Sequence, residues 1–302
     1  MVKKYIKKQH LIKVDLIIST LSYLIVYNLS NNKWHILHEN DGPYYGVGKY
    51  NNNIIIGKRN GTDLINSYAS FLVYDYKFNI IEEIKPSLPI RDLHGIVVHN
   101  NKLWVTSSYD NIIGIYDFMS KKWGCWKPNT NKNEINEINE GLINNILKNK
   151  TKGDKHFNTI GFNNNYLNLV AHNWGESEIY YYKSDNLEFF KKINLGQKSH
   201  NLWYKNDELF TLSSKTGEIV SSNNFKLTIG NYPRGFSKGN NRFYVGVCNK
   251  NDLPEKKQGR YSSSFYVVSF NNDFQDQKNY LFKNLGDITD IYFVKNLEYK
   301  NK

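Results

Sequence analysis

The sequence predicts an all-β chain folded as a six-bladed β-propeller. Three observations predict it: a strand–turn–strand frame that recurs six times, a last copy that stops after its first strand, and an N-terminus holding the strands that copy lacks. The frame is clearest from His94 to Val105 (HGIVVHNNKLWV), where two apolar strands flank an Asn-rich tight turn. It recurs from Tyr45, Asn158, His200, Arg234 and Asp290. Successive starts are 49, 64, 42, 34 and 56 residues apart, so the length variation falls in the loops while the frame holds.

The first five copies continue into third and fourth strands, as in FLVYDYKFNIIEEI from Phe71 and IYYYKSDNLEFFKKI from Ile179. The sixth has no room for them. The N-terminus supplies DLIIST from Asp15 and YLIVYNLSNNKWHIL from Tyr23, so one C-terminal and three N-terminal strands are expected to close the last blade and leave no open edge at the junction. This also explains a misleading start. A basic N-terminus followed by the apolar run Leu16–Tyr27 resembles a leader peptide, but Asp15 heads the run, Ser19, Thr20 and Ser22 interrupt it, and no small-residue cleavage site follows. A membrane-crossing helix needs about 20 residues, more than this run offers. Residues 1–302 are therefore expected to form one domain without a membrane span. Residues 129–153 are expected to insert an amphipathic helix before the third blade, with Ile135, Ile138, Leu142, Ile143, Ile146 and Leu147 at helical spacing. That helix could pack on the outer surface or lie as a lid over the channel mouth.

Composition narrows the function. The net charge is +12, but the basic residues are nearly all lysines, the arginines being Arg59, Arg91, Arg234, Arg242 and Arg260. With the abundant Asn and Ile this reads as drift in an AT-rich genome, and nucleic acid is not an expected partner, because such surfaces favour arginine for bidentate contacts. Apart from the cluster Lys3, Lys4, Lys7, Lys8, the lysines are scattered. Cys125 and Cys248 offer neither a disulfide framework nor a metal knuckle, which fits a reducing, cytoplasmic setting; a monomer is expected.

The register points to a site. Aligning the copies places Tyr45, His94, Asn158, His200, Arg234 and Asp290 at one level around the axis. Two residues later every copy is apolar: Val47, Ile96, Ile160, Leu202, Phe236 and Tyr292. Polar groups converging over an apolar floor are what a ligand site at a channel mouth requires. Asp92 and His156, two residues before their ring positions, and the second-strand ends Arg59, Ser108, His172, Ser214 and Cys248 lie near the same face. Residues in such rings also commonly bond only water and neighbouring backbone.

Two chemistries compete for this ring. His94, His200 and Asp290 could hold a divalent metal. Arg234 opposes that by its fixed charge and, if paired with Asp290, would present a guanidinium to a carboxylate, a phosphate or an acidic sugar. No nucleophile elbow, P-loop or dinucleotide fingerprint is present, and Ser107–Ser108 and Ser262–Ser264 read as strand and loop serines. The stretches SHNLWYKNDELFTLSSKTGEIVSSN (Ser199–Asn223), PRGF (Pro233–Phe236) with YVGV (Tyr244–Val247), and DITDIYFV (Asp287–Val294) resemble an uncharacterised bacterial propeller family often found beside tetratricopeptide and glycan-assembly genes. The resemblance covers the last three blades, with Ser199-His200 where that family has Pro-His, and implies a six-bladed fold and a carbohydrate context. The acidic calcium-binding mouth of lactonase propellers is not reproduced, since this ring has one carboxylate. The first expectation is a propeller binding a small polar or anionic molecule, with a sugar as the candidate that the resemblance implies. Behind it stand a metal-dependent hydrolase or lyase using the same ring, and a protein-interaction scaffold.

Overall fold

A computed structural model describes residues 11–39, 41–61, 63, 65, 66, 68–128, 134–249 and 258–300. Its antiparallel sheets are arranged as six blades, each numbered here by its inner strand: Tyr44–Tyr50 (one), Leu93–His99 (two), Phe157–Phe162 (three), Ser199–Lys205 (four), Tyr232–Lys238 (five) and Ile288–Lys300 (six). Blade six closes as expected. Ile288–Lys300 pairs with Leu11–Thr20, followed outward by Tyr23–Asn28 and Lys33–Glu39, with Ile17 opposite Tyr292 and Ser19 opposite Asp290. The leader-like run is thus two strands of the closing blade. Tyr23–Asn28 is buried on both faces, which is why its sequence is apolar without alternation.

Each blade presents both faces to neighbours, and the core divides accordingly into six clusters, one at every blade interface. In the closing blade Leu24 and Val26 face blade one while Ile25 and Tyr27 face blade five, the period of two that a strand dictates. Side chains also latch each interface by donating to backbone carbonyls at the start of the next blade's inner strand. Arg59 donates to Leu93 O, Ser108 to Phe157 O, Asn158 to Ser199 O, Ser214 to Pro233 O, Cys248 to Ile288 O and Thr289 to Tyr44 O.

The insertion differs from expectation. Helix α1 spans only Glu140–Lys148, capped by Asn139 accepting from Leu142 N; residues 129–133 lie outside the described set. Ile135 and Ile138 are not helical, because Asn136–Glu137 instead adds a fifth strand to the outer edge of blade two, and edge pairing outweighs the weak helical spacing. The helix packs through Ile146 into the interface between blades one and two, alongside Leu142 and Ile138. It is fastened there by Arg91, fully buried, which pairs with Asp110 and donates to Ile146 O and Asn149 O. Of the inserted region, the segment after the helix is what reaches the mouth, through Lys152. Among the described residues no helix is long and apolar enough to cross a membrane.

Candidate functional site

The inner strands turn into the channel through a shared device. Every one carries a register shift at the ring position: between Tyr44 and Val47, Leu93 and Ile96, Phe157 and Thr159, His200 and Leu202, Pro233 and Phe236, and beside Asp290. A bulge adds a residue to one strand and re-aims its side chains. Here it keeps the ring residues pointing to the axis. Two of the bulges use a left-handed glycine, Gly46 (φ 77°) and Gly235 (φ 85°), and blade four uses Asn201 (φ 57°) in the same place.

His94, Asn158, His200, Arg234 and Asp290 line one axial cavity of about 380 Å³, whose apolar wall includes Val47, Ile96, Ile160, Leu202, Phe236 and Tyr292. Tyr45 stands behind them as a platform, with the Arg59 guanidinium 4.0 Å and that of Arg234 5.2 Å from its ring centroid. His156 and His172 join His94 and His200 in an arc of four imidazoles. Ring centroids are 4.6 Å apart for His94–His156, 5.1 Å for His156–His172, 5.4 Å for His172–His200 and 6.5 Å for His200–His94.

Hydrogen bonds assign the protons. Arg234 Nη2 lies 2.8 Å from His94 Nδ1, and a guanidinium can only donate, so His94 carries its proton on Nε2, which faces Asp92 Oδ1 at 3.2 Å. Ser214 spends its hydroxyl proton on Pro233 O, so His200 Nδ1, 2.8 Å from Ser214 Oγ, must be the donor there. The lone pair of His200 is therefore on Nε2. Burial, aided by the neighbouring positive charges, pulls the His94 and His172 imidazoles down to about 3 and holds His156 and His200 well below the ordinary imidazole range. All four rings are neutral at pH 7. Burial works against ionisation of Asp92, yet Arg59 and the adjacent histidines keep its carboxyl well below the usual range.

Several expected relations are replaced by others. Arg234 pairs with His94, and Asp290 is engaged elsewhere: its oxygens accept from Val47 N, Ile291 N, Asn201 Nδ2 and the Phe236 amide. Burial raises the Asp290 carboxyl to about 6 against those hydrogen bonds. Backbone amides at the bulges outcompete a side chain reached across the channel. Asn158, Ser108, Ser214 and Cys248 are interface latches, and both cysteines are free and buried.

The expected metal set His94, His200 and Asp290 is not the one gathered. Among the described residues the donors within 4.8 Å of one another belong to Asp92, His94 and His156. Their chemistry does not fit a cation. The His94 Nε2 lone pair is replaced by a proton, Arg59 holds Asp92 Oδ1, and Lys152 Nζ stands 3.1 Å from Asp92 Oδ2.

Sequence reasoning missed Lys152 and Trp174. Trp174 is half exposed, adopts φ 57°, and packs 4.4 Å from the His156 ring and 5.4 Å from that of His172. A left-handed backbone is uncommon for so bulky a residue, and His156 itself is at φ 49°. Both strained residues stand at the mouth. Lys152 Nζ covers the Trp174 ring at 4.1 Å.

No family model and no curated protein matches the chain. Solved structures share the fold. A chain from the crystal structure of a nidogen/laminin complex superposes with a TM-score of 0.66 at 10% identity, over 93% of this chain and 98% of that one. A protein of unknown function from Bacteroides caccae does so with a TM-score of 0.60 at 9% identity, over 94% and 100%. The chain is a six-bladed β-propeller, and at these identities the likeness speaks for the fold alone.

Proposed function

We propose that this propeller binds a small anion, a carboxylate or a phosphate, at the channel mouth through Arg234. One observation carries the reading. Arg59, Arg91, Arg242 and Arg260 each pair with an aspartate, whereas Arg234 lines the axial cavity, is 6% exposed, and among the described residues has no carboxylate within ion-pair distance. Its hydrogen-bond partner is a neutral imidazole. A buried guanidinium without a counter-charge is expensive unless an anion completes it. Arg59 beneath the Tyr45 ring and Lys152 at the rim add to the positive field. A neutral His94, tied on both sides, orients the guanidinium without competing for charge.

Thermal shift with inorganic phosphate and a series of mono- and dicarboxylates tests this. A dose-dependent rise in Tm that weakens with added chloride and disappears in Arg234→Gln is expected. No rise with any anion, or a rise retained in Arg234→Gln, overturns the reading.

A further inference from the structure

The mouth also contains four buried polar atoms that make no hydrogen bond among the described residues: Asp92 Oδ2, Asn158 Oδ1, His156 Nδ1 and His172 Nδ1. Native proteins rarely leave such groups unpaired, and four in and beside one cluster of imidazoles mark a place where something else supplies partners. Their chemistry says what. Asp92 Oδ2 and Asn158 Oδ1 can only accept, and each neutral imidazole presents a nitrogen that accepts in one tautomer and donates in the other. These four atoms therefore call for several donors that can also accept. Hydroxyl groups meet that demand, and a metal ion does not, because Arg59, Lys152 and the protonated Nε2 of His94 already crowd the carboxylate.

The geometry points to a polyhydroxylated ring bearing the anionic group, a sugar acid or sugar phosphate, as the ligand of this mouth. The inference rests on the anion reading for the ligand's charge and on different atoms for its hydroxyls. Asp92 Oδ2 and His156 Nδ1 are 3.6 Å apart, a span that two neighbouring hydroxyls of one ring can bridge. Trp174 offers a flat apolar surface directly beside them, suited to the C–H face of a sugar. Lys152 now covers both features. Its side chain is 29% exposed and approaches Asp92 Oδ2 at ion-pair distance without hydrogen-bond alignment, so it is the group that moves aside when hydroxyls take its place.

Calorimetric titration of the full chain separates the two claims. The probes are acetate and inorganic phosphate, a set of hexuronates and hexose 6-phosphates, and neutral glucose. Hexuronates or hexose phosphates should bind at least tenfold more tightly than acetate or phosphate. That advantage should vanish in Trp174→Ala and in His172→Gln, each checked for an unchanged melting profile, while the weak binding of the bare anions persists. Equal affinity for bare and hydroxylated anions overturns the sugar inference and leaves the anion reading intact. Glucose binding as tightly as glucuronate, with no loss in Arg234→Gln, overturns the anion reading. Absence of binding by every hexuronate and hexose phosphate at millimolar concentration overturns the inference outright.

Discussion

Arg91 and Asp92 are adjacent in sequence and anchor two buried ion pairs that are built in opposite ways. Arg91 reaches Asp110, and both oxygens of that carboxylate are used: Oδ1 accepts from Arg91 Nη2 and Asn149 Nδ2, Oδ2 from Arg91 Nε and Ser107 Oγ. Among the described residues Arg91 leaves one nitrogen, Nη1, without a partner, while Nη2 also holds the end of helix α1. Asp92 pairs with Arg59 through Oδ1, shares that oxygen with His94, and leaves Oδ2 with no aligned donor. A carboxylate that only holds structure is nearly saturated. One held half-satisfied, amid four neutral imidazoles and a strained tryptophan, has acceptor capacity left over, which the proposed ligand would use.

The sharpest way to break this contrast is at the anchor. Arg91→Met leaves Asp110 buried without its partner, and should lower unfolding free energy by about 3–5 kcal/mol in urea titration. Residues 134–154 should become the first site of proteolysis; cleavage elsewhere would show that Arg91 does not hold the insertion.

Acidification probes the mouth instead. His94 and His172 titrate near 3 in the folded protein and near 6.5 when unfolded, so the unfolded chain takes up more protons below pH 6.5 and stability falls with pH. By pH 5 the loss is about 2 kcal/mol per imidazole. Asp290, raised to about 6, acts in the opposite sense and returns about 1 kcal/mol over the same interval. His156 and His200, also held below the ordinary imidazole range, add to the loss, so a net fall of more than about 3 kcal/mol between pH 7 and pH 5 is expected, shallower in His172→Gln. A flat profile would mean that these rings are not held neutral.

The smallest expected effect is the most telling. Arg234→Gln removes a buried charge that has no counter-charge, so stability should change by less than about 1 kcal/mol, in either direction, despite the residue's burial. A loss comparable to that of Arg91→Met would make Arg234 another structural anchor.

The ring of blades was legible because backbone chemistry repeats. Asn-rich hairpins and a fixed offset between polar and apolar positions survive wide changes in loop length, and the missing strands of the sixth copy had one place to come from. The site was legible only in part. His94, His200, Arg234, His156 and His172 follow the repeat and so could be placed on one face. Their pairings could not, since Arg234 chooses His94 over Asp290 because of amides exposed by bulges that spacing does not reveal. Lys152 sits in the insertion, which has no counterpart in other blades, and Trp174 in a turn between second and third strands whose sequence differs from blade to blade, so alignment of copies is blind to them. The inserted helix was overextended because isoleucines at helical spacing also serve a short edge strand followed by a capped turn.

The closing blade bears on the order of events during synthesis. Ser19 and Asp290 bond across 271 positions, so the first strand leaves the ribosome long before the strand that will flank it. Until Ile288–Lys300 is made, Leu11–Thr20 presents an unpaired edge that any other extended chain could take. The step that seals the propeller is thus the last to become available, and a chain interrupted before Ile288 would be left with that edge open and a tendency to associate with its own kind.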